Sequence, residues 1–154
     1  MNIRPATKAD IHTLIAVINS AYEVERFFKN RDRLTLNETE VYYEKGTFLI
    51  AEDESGLAGT VYVKLNGDQA LFGLLSVDPS KQSKGLGRRL INAAEDFARA
   101  RNCRCMNLEV VNLRTELPPF YRKLGYKETG TAPFPKEALS TQPCHFVLMS
   151  KPLL

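Results

Sequence analysis

Long apolar runs, internal repeats and low-complexity tracts are all missing from this sequence, and each absence excludes a class of protein. The apolar stretch nearest the N-terminus, Leu14 to Ile18, is too short for a signal-peptide core or a membrane span. No repeat or Pro/Ser-rich linker divides the 154 residues. We therefore expect one domain over residues 1–154, a cytoplasmic location and no membrane partner.

Residues that commonly bind metals are also scarce. The chain has three cysteines and two histidines: Cys103, Cys105, Cys144, His12 and His145. No C-x-x-C pair occurs with a matching His or Cys pair, and the two histidines lie at opposite ends of the chain. We expect reduced cysteines and no metal site.

An excess of charge of one sign is lacking too. The chain has 21 basic and 18 acidic residues, a formal net charge of +3 and a pI near 8.8. This balance does not indicate a nucleic-acid partner, and no aromatic residue interleaves the basic patch from Lys81 to Arg89. It remains compatible with a polyanionic small-molecule ligand.

The spacing of apolar residues predicts an α/β (α+β) chain. Helices are expected from a Thr7 cap to Tyr22 and over residues 37–45, 86–101 and 118–124. Strands are expected over residues 3–6, 47–52, 57–65, 70–77, 104–111, 126–131 and 145–151. The pattern predicts a mixed, mostly antiparallel central sheet of about seven strands flanked by helices, with a right-handed parallel crossover through the long helix.

The segment from Val77 to Arg88 joins a predicted buried strand to the start of the long helix. The first amides of a helix lack internal partners and the helix dipole is positive there, so the glycines Gly85 and Gly87 would let a diphosphate approach the backbone. A tight turn against the sheet is an equal alternative on spacing alone. The G-x-x-x-x-G-K-[ST] pattern is absent, and Arg88 and Arg89 break the G-x-G-x-x-G pattern. A nucleotide hydrolase or a dinucleotide dehydrogenase is therefore disfavoured.

Three motifs resemble those of the GNAT superfamily of acyl-CoA-dependent N-acyltransferases. Gln82-Ser83-Lys84-Gly85-Leu86-Gly87 matches the family's Q/R-x-x-G-x-G/A loop, and Leu75-x-Val77-x-Pro79 matches the strand before it. The segment from Tyr121 to Tyr126 resembles the later Y-x-K-L-G-F motif. The resemblance extends over nearly the whole chain in element order and is closest from Phe72 to Gly130. It implies a GNAT-like fold and acetyl-CoA as co-substrate.

The resemblance also assigns cofactor-binding residues. Backbone groups of one strand would pair with the pantetheine arm: Leu75, Ser76 and Val77. Amides of the loop would hold the pyrophosphate: Gln82, Ser83, Lys84, Gly85, Leu86, Gly87 and Arg88. Family members often carry an asparagine seven residues before the tyrosine, where this chain has Arg114, so we include Asn112, two residues earlier, as a cofactor-binding candidate.

The catalytic candidates implied are Tyr121, as the acid that protonates the departing thiolate, and Glu109, as a base. Each has an alternative: Tyr121 as simple core, and Glu109 as an exposed carboxylate that points away from Leu108 and Val110. The strand from Ala70 to Leu75 contains no acid. Water or a residue of the mixed segment from 23 to 45 therefore stays open as the base, with these candidates: Glu25, Glu38 and Tyr43. We expect that no single carboxylate is indispensable.

Two further groups have a functional and an ordinary interpretation. Arg114 and Glu116 form either a substrate-facing charged pair or surface charges. His145, at the start of the last apolar run, is either catalytic or structural.

The expected function is transfer of an acetyl group from acetyl-CoA to a primary amine of a small molecule or peptide. The alternative is a non-catalytic acyl-CoA sensor of the same fold. The acceptor pocket would involve residues 23–45 and 132–145, and the sequence is compatible with a homodimer.

Overall fold

The computed structural model describes residues 1–82, 85–135 and 140–154. Its strands are β1 (Asn2–Pro5), β2 (Thr47–Asp53), β3 (Gly56–Asn66), β4 (Gln69–Val77), β5 (Cys105–Val111), β6 (Lys127–Pro133) and β7 (His145–Pro152). Its α-helices are α1 (Ile11–Ala21), α2 (Leu36–Lys45), α3 (Leu86–Arg99) and α4 (Leu117–Lys123). Short 3₁₀ turns cover Lys8–Asp10, Tyr22–Glu25 and Pro79–Lys81.

The described strands form a seven-stranded sheet in the order β1-β2-β3-β4-β5-β7-β6. Neighbouring strands are antiparallel except β4 and β5, which are parallel and are joined through α3. The predicted mixed, mostly antiparallel sheet is therefore confirmed. The parallel pair needs a crossover connection, and the long helix α3 supplies it.

The helices cover both faces of the sheet. Along β2, Leu49 and Ala51 belong to a core cluster with α3, whereas Phe48 and Ile50 belong to a cluster with α1. Successive strand residues point to opposite faces, so α3 lies on one face and α1 on the other. The predicted helical spacing of α3 is confirmed by its buried residues: Leu86, Leu90, Ile91, Ala94 and Ala98.

The helix boundaries follow local hydrogen bonding. The Thr7 amide donates to the Asp10 carboxylate at 2.7 Å, which fixes the turn before α1. The same arrangement begins α2, where the Thr35 amide donates to Glu38 at 2.9 Å. The helix α3 ends at Arg99, two residues before the predicted end, and Asn102 turns the chain with a φ of 66°.

Candidate active site

The sheet opens between β4 and β5. These strands pair only at Gln69–Leu71 with Cys105–Asn107, although β4 continues to Val77 and β5 to Val111. Beyond Leu71, the described part of β4 is therefore paired with β3 alone. The three predicted pantetheine contacts lie on this open edge: Leu75, Ser76 and Val77. An extended ligand with amide groups can bind such an edge as an added strand.

A β-bulge reshapes β4 at this opening. Thr60 pairs with Ser76 and Tyr62 pairs with Gly73, so Leu74 and Leu75 together oppose one residue of β3. Leu74 has a φ of 53°, a left-handed conformation that costs on the order of 1–3 kcal/mol in a residue other than glycine. Bulges re-aim backbone groups and are frequent beside active sites. The amides after Leu74 are therefore candidate donors to an oxyanion.

The loop before α3 is held by short contacts. Asp78 accepts hydrogen bonds from the Ser80 amide at 2.9 Å and hydroxyl at 2.8 Å, and Gln82 Nε2 donates to the Val77 carbonyl at 3.2 Å. Lys81 forms an ion pair with Asp53 at 2.8 Å. This ion pair neutralises much of the positive charge that Lys81 would otherwise add beside the loop.

The two glycines of the loop leave room beside the start of α3. Gly85 has a φ of 71°, which favours glycine, and a Cβ added at Gly85 or Gly87 would meet no described atom within 4 Å. Leu86 is buried in the core, so only its backbone can contact a ligand, whereas Arg88 is exposed. Ser83 and Lys84 lie outside the described residues. The described part of the loop leaves space at the helix start, and its binding of a diphosphate stays a prediction.

Tyr121 lies on α4 beside the opening. Its ring packs 5.9 Å from the Phe72 ring and 6.0 Å from the Tyr126 ring, and the residue is only 6% exposed. Its hydroxyl makes no hydrogen bond to any described residue. Burial raises the pKa of this hydroxyl, Tyr22 raises it further and Arg114 opposes the shift. The ring is therefore part of the core, as the alternative interpretation held, while the hydroxyl stays protonated at neutral pH and free to act as a donor.

Asn112 connects the end of β5 to the start of β7. Its side-chain oxygen accepts a hydrogen bond from the His145 amide at 2.8 Å, and its own amide donates to the His145 carbonyl at 2.9 Å. Asn112 thus has a structural role in the sheet, and its predicted cofactor contact remains untested. The His145 side chain is exposed at the strand start.

The candidate bases occupy different surroundings. Glu109 is exposed on β5, on the opposite face from Leu108 and Val110, as its alternation predicted. Glu38 caps α2 and pairs with Arg31 at 3.0 Å, which gives it a structural role. Tyr43 packs against the core cluster under α1.

Glu25 differs from these candidates because it is buried. It is 9% exposed and accepts a hydrogen bond from Arg114 Nη1 at 2.8 Å across 89 residues of chain. Burial raises the pKa of its carboxyl, and the Arg114 charge opposes that shift. Arg114 also binds Glu116 at 3.1 Å, so the predicted charged pair exists and includes a third member.

Sequence reasoning missed three residues around Glu25. The charges of Lys29 and Arg33 act on its carboxyl, and Arg33 lies over the Tyr22 ring at 5.4 Å. The sequence predicts Tyr22 only as the last residue of the first helix. Its phenol lies among charged groups, and burial raises its pKa to about 12. Nothing in the periodicity signals this cluster, because Tyr22 to Glu25 form a 3₁₀ turn after α1 rather than another helical turn.

Metal-binding clusters and membrane-spanning helices are both absent from residues 1–82, 85–135 and 140–154. The part of the chain in the described ranges holds no group of three or more His, Cys, Asp or Glu residues arranged to bind a metal ion. Across the same ranges, no helix is both long and apolar enough to cross a bilayer. The expected cytoplasmic location stays a prediction.

Comparisons with known proteins agree with this geometry. A family model described as an acetyltransferase (GNAT) domain matches residues 44–128, more than half of the chain. The chain therefore belongs to the GNAT acetyltransferase domain family. This assignment supports the predicted enzyme class, an acyl-CoA-dependent N-acyltransferase.

Two curated relatives carry acetyltransferase names. Mycothiol acetyltransferase of Clavibacter sepedonicus is 31% identical over 92 residues, which cover 59% of this chain and 30% of that protein. Streptothricin acetyltransferase of Streptomyces lavendulae is 29% identical over 108 residues, covering 69% of this chain and 57% of that protein. The chain thus spans less than two thirds of the length of these relatives.

Solved structures share the fold. The ribosomal-protein-S18-alanine N-acetyltransferase of Escherichia coli superposes with a TM-score of 0.81 at 18% identity, covering 99% of this chain and 93% of that one. A Salmonella typhimurium protein solved with its cofactor acetyl-CoA gives a TM-score of 0.77 at 20% identity, covering 100% and 94% of the two chains. At these identities the likeness concerns the fold alone.

Proposed function

We propose that this chain is an N-acetyltransferase that transfers the acetyl group of acetyl-CoA directly to a primary amine. The observation that carries the proposal is the separation of β4 and β5 after three residue pairs, beside a bulge and a glycine loop at a helix start. The edge of β4 suits the pantetheine arm, and the amides of the loop suit the pyrophosphate. Acetyl-CoA is the co-substrate in this proposal, and no metal is required.

The chemistry assigned to the opening is a single acyl transfer. The acceptor first loses a proton to become the free amine, whose nitrogen then attacks the thioester carbonyl carbon. As the C–N bond forms and the C–S bond breaks, the carbonyl oxygen carries transient negative charge, and the nitrogen loses a second proton. The sulfur leaves as thiolate and gains a proton, so the products are an acetamide and CoA.

Residues of this chain are available for each of these needs. Backbone amides at the Leu74 bulge are candidates for the oxyanion, because the bulge turns them from the regular ladder. The Tyr121 hydroxyl is protonated at neutral pH and is our candidate acid toward the thiolate.

Glu25 is our candidate proton acceptor. Its raised pKa makes it a stronger base than an ordinary carboxylate, while Arg114 favours the ionised form that a base requires. Glu38 is engaged in capping α2, and Glu109 is solvated. The structure thus supports Glu25 over the distributed route expected from the sequence, in which several weak acceptors share the proton.

Single Gln variants of three carboxylates separate these routes: Glu25→Gln, Glu38→Gln and Glu109→Gln. We expect CoA release to fall about 10²- to 10⁴-fold in Glu25→Gln alone, with acetyl-CoA affinity retained. Modest losses in all three variants would instead favour the distributed route, and a collapse only in Glu109→Gln would make Glu109 the base.

An acyl-CoA sensor without turnover is the competing function of the same fold. Thiol release from acetyl-CoA is the assay, with a panel of primary amines that includes amino acids, polyamines, aminoglycosides and peptides. Amine-dependent release supports the transferase. Binding of acetyl-CoA without release across the panel would establish the sensor instead.

A further inference from the structure

Three cations surround one buried carboxylate where α1 leads into α2. Glu25 binds Arg114 directly, and its carboxyl also feels the charges of Arg33 and Lys29. Lys29 and Glu25 lie one turn apart, because the Lys29 amide donates to the Glu25 carbonyl at 3.1 Å. The cluster therefore contains one buried carboxylate and more positive than negative charge around it.

The positive charges are not equally compensated. Arg114 contacts the carboxylates of Glu25 and Glu116 at 2.8 and 3.1 Å. Lys29 is only 8% exposed, yet no carboxylate of a described residue lies within 4.0 Å of its ammonium group. Arg33 is half-buried and likewise has no ion pair in the described ranges, only the Tyr22 ring at 5.4 Å. A buried lysine without an anion is costly, so this position suits an anionic ligand.

The backbone around Lys29 is held in place. Lys29 forms a β-bridge with Ser140, and the Thr141 amide donates to the Phe28 carbonyl at 2.7 Å. Phe28 itself is fully buried, and Gln142 Nε2 donates to the Phe27 carbonyl at 3.0 Å. Residues 27–29 are thus bonded to residues 140–142, which holds the backbone of Lys29 in a fixed position.

We propose that the acceptor is a zwitterionic primary amine, with its amine directed to Glu25 and an adjacent carboxylate bound by Lys29 and Arg33. This inference rests on the proposed transfer to a primary amine and names the class of acceptor. Glu25 and Lys29 lie one turn apart and their charges act on each other, so a small ligand with an amine next to a carboxylate suits the pair. A polyanionic acceptor fits less well, because Glu25 would repel it.

The test compares amino acids with their own amides, which keep the side chain and the amine but lack the negative charge. We expect kcat/KM for CoA release to be about 10- to 100-fold higher with the acid than with the amide, as for a hydrogen bond to a charged group. Two further acceptors complete the comparison. Phosphoethanolamine carries a phosphate in place of the carboxylate, and simple alkylamines carry no anionic group.

Lys29→Met tests the residue itself. The variant should lose most of the preference for the acid over the amide, about 10-fold or more, whereas Lys64→Met, an exposed lysine on β3, should keep it. Glu137 lies outside the described residues and near Ser140 in sequence, so Glu137→Gln is included. The preference should not increase in this variant, and an increase would identify Glu137 as the anion that already occupies Lys29.

The outcomes separate the two proposals. Three results would overturn the zwitterionic acceptor while leaving the transferase intact. They are an equal kcat/KM for acid and amide, a higher kcat/KM for phosphoethanolamine or alkylamines, and an equal loss of kcat/KM on acid and amide in Lys29→Met. No CoA release with any amine would overturn the transferase itself, and the acceptor assignment with it.

Discussion

Gly87 lies in the first turn of α3, where a substitution is expected to weaken ligand binding without destabilising the fold. A Cβ at this position would meet no described atom within 4 Å, so the described part of the fold leaves room for the first atom of a larger side chain. Leucine is a better helix former than glycine by about 0.8 kcal/mol. Gly87→Leu should therefore unfold with the wild-type free energy or up to about 1 kcal/mol more.

The same side chain would occupy the space that a diphosphate needs. If it removes one hydrogen bond to a charged oxygen, about 1.5–3 kcal/mol is lost, and the dissociation constant for acetyl-CoA rises about 10- to 150-fold. Isothermal titration calorimetry measures the affinity, and denaturant unfolding measures the stability. Gly87→Ala is the matched control, with a similar gain in helix propensity and only one added methyl group. Unchanged affinity in a folded Gly87→Leu protein would refute the assignment of this loop to the pyrophosphate.

Three more predictions follow from single residues. Tyr121→Phe should lower kcat by about 10²- to 10⁴-fold with little change in acetyl-CoA affinity, and a normal rate would show that the hydroxyl is not the acid. In the folded state the pKa of Lys29 is lowered from 10.5 to about 8, by burial and by the Arg33 and Arg31 charges, with Glu25 and Glu38 opposing. The unfolded chain then binds more protons between pH 8 and 10.5, so stability should rise with pH there relative to Lys29→Met; parallel curves would contradict this. Gly59→Ala would place its Cβ 2.8 Å from the Ser76 carbonyl oxygen and 3.0 Å from Leu90, and should reduce the free energy of unfolding by about 1–3 kcal/mol. Wild-type stability in denaturant would show that Ser76 and Leu90 move aside at no cost.

The fold could be predicted from the sequence because its long elements have strong periodicity. The spacing of apolar residues predicts α3 and the strands of the first hairpins, and the structure has them with small shifts at the ends. The Leu74 bulge was not predicted, since a run of apolar residues contains no sign of where one strand gains an extra residue.

The site was predictable only where a motif marks it. The glycine loop and Tyr121 have recognisable spacing. The loop follows the open edge of β4, and the Tyr121 ring packs against Phe72 of that strand. The pairing of Glu25 with Arg114 joins residues 89 positions apart, and the buried Lys29 forms a β-bridge with the distant Ser140. Contacts of such long range follow from the assembled sheet and leave no local pattern.

The most direct test of the account is a crystal structure of this protein with acetyl-CoA. The account predicts the pyrophosphate against the amides of residues 82–88, the pantetheine arm paired with the open edge of β4, and the sulfur within hydrogen-bond reach of the Tyr121 hydroxyl. It also predicts that Glu25 faces the thioester carbonyl from the acceptor side. Acetyl-CoA bound away from the gap between β4 and β5 would contradict the account. A thioester separated from Glu25 and Tyr121 by packed core side chains would contradict it as well.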